Sequence, residues 1–367
     1  MYSLYLLIFG CLAVLSLCEV KRVDFSVKKV LLFYTVSFLI LFAGLRGPGV
    51  GQDDLAYIEA YDYVPHIGYW LTGEFQYRFT DLWMEPGFVF YSAVLKLFSS
   101  SFILLFLGVA LLSVGLSCKQ YSVLSPYFFM TVMLFFVHTF LYRDINQIRS
   151  AVAAAIGLFL IIPLANRQFL KGFIIICAAG IFHMAALSYL ALFFASFFKV
   201  TKKRLIAFVG SGVALGAIGI SNLLMSVLPN MGVITSKLNH YSVDSMVSTT
   251  SLFDITNIKN LAIFILLISL WEKLEYKVPY FKTLMLFLGF ATFWRLAFSD
   301  FGAIGGRIAT FYGVVEVVLI PCVLLAFREK LLPALIIVLY AALTLYLNLF
   351  IKTGSSPYNL SFSLFGL

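Results

Sequence analysis

Arginines, acidic residues and one histidine gather at the ends of long apolar runs in this sequence. They are Arg46, Asp53 and Asp54; Glu85; Arg143, Asp144 and Arg149; His183; and Arg295, Asp300 and Arg307. Arginine beside hydrocarbon is costly, so such residues usually have a partner or a ligand. An arginine at a helix end also reaches headgroups by snorkelling, and each one taken alone admits that reading. Arg149, Arg295 and Arg307 on one rim with carboxylates favour an anion site. The guanidinium fork donates paired hydrogen bonds to phosphate oxygens and stays charged. His183, with an ordinary pKa of about 6.5, suits a general base, or else caps a helix. Asp53 and Glu85 are rival bases, or the groups that hold an arginine in place. Together these residues suit a reaction in which an anionic group is held while a hydroxyl loses its proton. Asp53 and Asp54 form the one evident carboxylate pair, so neither a metal site nor a cofactor is expected. His66, His138 and His240 show no such convergence and read as structural. Glu316, inside the apolar run FYGVVEVVLI, is either functional or paired with an arginine of the rim.

The elements that carry these residues are set by composition. The 367 residues are 62% hydrophobic and only 12% charged, with a mean hydropathy of +0.99. Soluble domains carry roughly 25% charged residues, and no single core could bury this excess. The chain is therefore read as an all-α polytopic integral membrane protein, which excludes a disordered chain, a secreted disulfide scaffold and a nucleic-acid binder. The formal charge of +9 follows from basic residues distributed by membrane topology.

Apolar runs at 2–18, 29–45, 102–117, 124–141, 150–165, 168–182, 184–198, 205–222, 259–271, 280–297, 308–327 and 331–350 predict about 12 transmembrane helices. The first has no basic residues before it and is read as a retained span. Residues 168–198 are either one long helix or a hairpin folding at Gly180–His183. Placing the N-terminus outside and taking the hairpin puts Lys21, Arg22, Lys28, Lys29, Lys119, Arg167, Lys171, Lys199, Lys202, Lys203, Arg204, Lys273, Lys277, Lys282, Arg328 and Lys330 inside, as the positive-inside rule requires. The whole chain, 1–367, reads as a single transmembrane domain with two long outer segments. The outer loop 46–101 ends in an apolar stretch, 87–98, that reaches only about 18 Å as a helix, so it is read as re-entrant or interfacial. The second segment, 223–258, rich in Ser, Thr and Asn, reads as a lid loop. Tyr57, Tyr61, Tyr63, Tyr69, Trp70, Tyr77 and Trp83 are either an interfacial aromatic belt or a sugar-stacking groove. Cys11, Cys18, Cys118, Cys177 and Cys322 read as free thiols within the core.

Four short patterns now fall into order: RGPGVGQDDLAY, with Arg46, Gly51, Asp53 and Tyr57; Glu85-Pro86-Gly87; INQIRSAVA, with Asn146 and Arg149; and GIFHMAAL, with His183. This series resembles the EpsG family of Wzy-type polysaccharide polymerases, and the likeness extends from about residue 2 to about residue 350. Two positions depart from the family pattern. Ala185 stands where a serine is common, and Asp54 adds a second acidic residue to the first motif.

The resemblance implies a GT-C-like architecture and a multi-pass protein of the bacterial inner membrane with its active site on the outer, periplasmic face. It implies a glycosyltransferase that joins oligosaccharide repeat units, each held on a polyprenyl pyrophosphate, as in O-antigen polymerisation for lipopolysaccharide. Polyprenyl pyrophosphate is released. The expected partners are the lipid-linked oligosaccharides, membrane lipid and a chain-length regulator protein, with no nucleic acid. On that expectation His183, Asp53 and Glu85 are the catalytic candidates. Arg149 and Arg307 are assigned to the pyrophosphate, Arg295 and Arg143 stand behind them, and Arg46, Tyr57 and Asn146 complete the substrate-binding set. A lipid-linked oligosaccharide flippase and an O-antigen ligase remain the alternative readings.

Overall fold

The computed structural model describes residues 2–21, 25–72, 78–79, 82–220, 252–300, 302–351 and 356–361. The anticipated lid loop falls outside these residues over 223–251, as do Tyr77 and His240, and so does the side chain of Trp83. Among the described residues, five helices are long and apolar enough to cross a membrane: Ser3–Val20, Val27–Gly44, Phe102–Leu124, Ile148–Ala165 and Leu331–Ile351. A sixth crossing arises if Gly305–Gly313 and Glu316–Ala326, bent by 47°, act as one broken span.

Some of the dozen apolar runs of the sequence are interrupted at points that hydropathy does not register. Phe128–Phe135 passes into a π-helix, Phe136–Asp144. Phe169–Phe182 stops after 14 residues, about 21 Å of rise against roughly 30 Å of hydrocarbon. It is followed by a 3-10 turn, Met184–Ser188, and a short helix, Tyr189–Ala195.

The chain forms two compact units: Met1–Leu160 with Ile174–Leu187 and Ile320–Leu367, and Ile161–Phe173 with Ser188–Leu319. In the first unit, Phe25–Gly44 packs against Phe102–Leu124 so tightly that a Cβ at Gly44 would lie 2.7 Å from the Leu107 Cα. Glu19 looks in sequence like the first loop charge, yet it is buried. It accepts hydrogen bonds from the Phe128, Phe129 and Met130 N–H groups and pairs with Lys28 at 2.5 Å. A carboxylate at a helix N-terminus answers both the orphan N–H groups and the positive end of the helix dipole. The C-terminal segment 356–361 crosses the end of Phe25–Gly44. The Tyr358 ring stacks on Phe42 at 4.1 Å, the Gly47 N–H donates to the Asn359 carbonyl, and the Ser361 N–H donates to the Leu45 carbonyl.

In the second unit, Lys202–Ile218 lies against Phe281–Ala297, where Gly212 and Gly216 admit the backbone of Phe293 and Leu296. Tyr189 donates to the Phe311 carbonyl and Tyr312 to the Ser188 carbonyl, which ties two stretches of chain together reciprocally. Phe169 meets Phe197 at 4.6 Å between ring centroids, and Phe173 meets Phe193 at 6.3 Å. Contacts that pair early with late residues are those of a folded-back hairpin, so 168–198 is not one continuous helix. Cys118 and Cys322 are buried, whereas Cys11, Cys18 and Cys177 are exposed, so core burial holds for two of the five free thiols.

Candidate functional site

Glu85 stands at the N-cap position of the helix Pro86–Lys96, with extended backbone angles and Pro86 at the first helical position. Its side chain does not cap that helix. The carboxylate turns instead to other chain segments. Oε2 accepts from Arg149 Nη1 at 2.6 Å, Oε1 lies 2.7 Å from His183 Nδ1, and Oε1 also accepts from the Met184 N–H at 3.1 Å. Glycine at 87 is what permits this approach, because a Cβ there would lie 2.8 Å from the Ile181 carbonyl oxygen. The Glu-Pro-Gly sequence is thus a helix start built to pass close beneath the turn that carries His183.

Burial by itself would raise the Glu85 carboxyl. The hydrogen bond from His183, the Arg149 charge and the Met184 N–H outweigh it and bring the pKa down to about 2. The Glu85 side chain is 4% exposed, against 17% for Arg149 and 28% for His183. The carboxylate is therefore the floor of the cluster, and the cation and the imidazole reach toward its open side. Tyr57 closes one flank: its ring lies beneath the Arg149 guanidinium, 5.7 Å from the centroid, and packs against Phe88. Burial pushes its phenol above the usual 10, against the opposing pull of Arg149.

A second cluster in the same unit holds the loop that leads to Tyr57. Arg46 is fully buried, donating from Nε and Nη2 to Asp54 at 3.1 and 2.8 Å, and from Nη1 to the Ala43 carbonyl at 2.6 Å. Its guanidinium lies 3.9 Å from the centroid of the Phe106 ring. Asp54 also accepts from the Gly51 N–H, and Asn146 Oδ1 accepts from the Gln52 N–H at 2.7 Å. Of the two adjacent acidic residues, Asp54 is thus the buried partner of Arg46, while Asp53 is exposed at the N-cap position of Asp54–Tyr63. Arg143 is buried and donates to the Ser150 carbonyl at 3.2 Å; Asp144 beside it is buried as well.

Arg295 and Arg307 belong to the second unit. Arg295 Nη2 lies 4.0 Å from Asp254, and its guanidinium rests against Gly306, where a Cβ would come within 3.4 Å of Nη1. Arg307 is exposed. Glu316 is paired with a lysine rather than an arginine: Lys259 Nζ donates to both its carboxylate oxygens, at 2.8 and 3.1 Å. Lys259, one turn into an apolar helix, carried no motif, and a lone charge in such a run was the only signal for it. Among the described residues, no three His, Cys, Asp or Glu side chains form a metal-holding group.

Residues 29–360 match the EpsG family. The amylovoran biosynthesis protein AmsC of Erwinia amylovora is 27% identical over 332 residues, covering 86% of each chain. No solved structure matches. The match spans most of the sequence and takes in every residue of the Glu85 cluster, and the chain belongs to the EpsG family.

Proposed function

We propose that this protein is a membrane-embedded glycosyltransferase that polymerises polyprenyl-pyrophosphate-linked oligosaccharide repeat units at the outer leaflet. The observation that carries the reading is one buried carboxylate, Glu85, that holds both an arginine and a histidine. Family membership and the similarity to an amylovoran biosynthesis protein support a role in polysaccharide assembly.

In the reaction, a hydroxyl oxygen of the incoming repeat unit attacks the anomeric carbon of the growing glycan. The bond from that carbon to the pyrophosphate oxygen breaks, and polyprenyl pyrophosphate leaves with the bonding electron pair. Arg149 faces the charge that develops on the leaving oxygen, the moment at which preorganised electrostatics act most strongly. The hydroxyl proton passes to His183. With Nδ1 held by Glu85, the accepting nitrogen is Nε2, and the ionised carboxylate stabilises the imidazolium that forms. Glu85 is in this scheme a positioning residue, and Tyr57 fixes the lateral place of Arg149. Arg46, Asp54 and Asn146 hold the loop from which Asp53 and Tyr57 project. Asp53 is the exposed carboxylate of the set, suited to orienting a sugar hydroxyl. Arg143 supports the turn before Arg149. Arg295 and Arg307, within the second unit, are proposed as anion-binding residues in their own right.

The test is reconstitution with polyprenyl-pyrophosphate-linked repeat units and separation of the products on a gel. A ladder of added repeats with released polyprenyl pyrophosphate is expected. Transfer of a single finished glycan to another acceptor would indicate a ligase, and translocation without bond formation a flippase.

A further inference from the structure

The second unit contains a cavity of about 160 Å³ that the proposed chemistry does not use. It opens between the start of Lys202–Ile218 and the middle of Phe281–Ala297, with Lys199 and Arg204 at its mouth and Leu205, Phe208, Leu286 and Phe290 among its walls. Four of the six residues 199–204 are basic, on the face that the positive-inside rule marks as inner. Lys202 is paired with Glu272 at 2.8 Å, and Arg204 Nη1 donates to the Lys199 carbonyl, which draws the chain back around the opening. Leu205 and Phe208 lie three and six residues beyond Lys202, so roughly 5 and 9 Å deeper along the helix. On that reading the basic residues stand at headgroup level and the aromatic walls of the cavity lie deeper, beside the first methylenes of a lipid chain.

We infer that this cavity binds an anionic diacyl phospholipid of the inner leaflet, its phosphate on Lys199 and Arg204 and the upper part of one chain against Phe208 and Phe290. Snorkelling alone accounts for the basic residues but leaves the cavity between them empty. A soluble anion would satisfy the charge and leave the aromatic walls facing nothing. A phospholipid matches both, as basic pockets between helices at the cytoplasmic face commonly do. Its headgroup would also neutralise a cluster of like charges at the base of the helix pair that carries Arg295.

The experiment uses the full chain, delipidated in detergent and titrated with phosphatidylglycerol, phosphatidylcholine of matched chains, inorganic phosphate and polyprenyl phosphate, with bound species resolved by native mass spectrometry. Phosphatidylglycerol is expected to be retained on the order of tenfold better than phosphatidylcholine. The Lys199→Gln/Arg204→Gln double variant should lose that preference, and Lys21→Gln, at another basic residue read as inner from the sequence, should keep it. In a second readout, Val200→Trp fluorescence is quenched by phosphatidylglycerol brominated near the top of its chains. Equal retention of the two lipids, an unchanged preference in the double variant or an unquenched tryptophan would overturn the assignment. Displacement by inorganic phosphate alone would reassign the site to a free anion, and tighter binding of polyprenyl phosphate would reassign it to the carrier lipid.

Discussion

Glu85 and His183 lie 98 residues apart in sequence and meet at 2.7 Å, with Arg149 on the other oxygen of the same carboxylate. Removing the carboxylate therefore affects the arginine and the imidazole at once. Glu85→Gln keeps the shape but cannot stabilise an imidazolium, and polymer synthesis is expected to fall by about 10²–10³-fold, within the range of general acid–base effects. His183→Ala should lose as much, and the double variant little more than either single one, because the two act as a unit. Additive losses measured by repeat-unit transfer would separate their roles.

The depressed pKa of Glu85 makes a prediction for stability. Its carboxyl titrates at about 2 in the folded protein against an ordinary 4.5, so the unfolded chain binds the proton first as the pH falls. The stabilisation is fully present above about pH 4.5 and is lost as the pH drops toward 2. Thermal unfolding in detergent should show a gap between the wild type and Glu85→Gln that is constant from pH 7 to 5 and closes below about 4. A gap that widens with acid contradicts the assignment.

Gly87→Ala places a methyl group against the Ile181 carbonyl and should part the Glu85 helix from the His183 turn. Transfer activity is expected to drop by at least about tenfold, a small displacement being enough to misplace reacting groups. Gly10→Ala, where nothing lies within 4 Å of the new Cβ, is the matched control and should behave as wild type.

The Arg46–Asp54 pair is almost wholly inaccessible, with side chains 1% and 0% exposed. Losing one member leaves the other charged and buried, a penalty of roughly 3–5 kcal/mol. Arg46→Met and Asp54→Leu should each lower the unfolding midpoint sharply, and the combined variant should recover much of the loss. Equal instability of all three in a melting series would show that packing, not charge, dominates here.

Topology can be read chemically. With the exposed Cys11, Cys18 and Cys177 replaced, a Thr201→Cys variant should resist a membrane-impermeant thiol reagent in intact cells and react once the cells are opened. Labelling from outside would invert the orientation drawn from the lysines and arginines.

The sequence by itself determined that this chain lives in a membrane, because 62% apolar residues leave no other solvent for it. It also marked residues whose types suit the proposed chemistry, since an ionisable group at the end of an apolar run is conspicuous: Glu85, Arg149 and His183, which the fold brings together, were all legible in this way. The break at His183 was visible as an alternative, and only the contacts of Phe169 with Phe197 decided it. Which charge pairs with which was not legible, because partners are chosen by helix packing across long separations. Asp54 rather than Asp53 takes Arg46, Lys259 rather than an arginine takes Glu316, and Glu19 caps a helix 109 residues away. Hydropathy averages over a window and is blind to a π-turn or a 14-residue helix. The places where helices break and the convergence on one carboxylate were therefore decided by the tertiary structure.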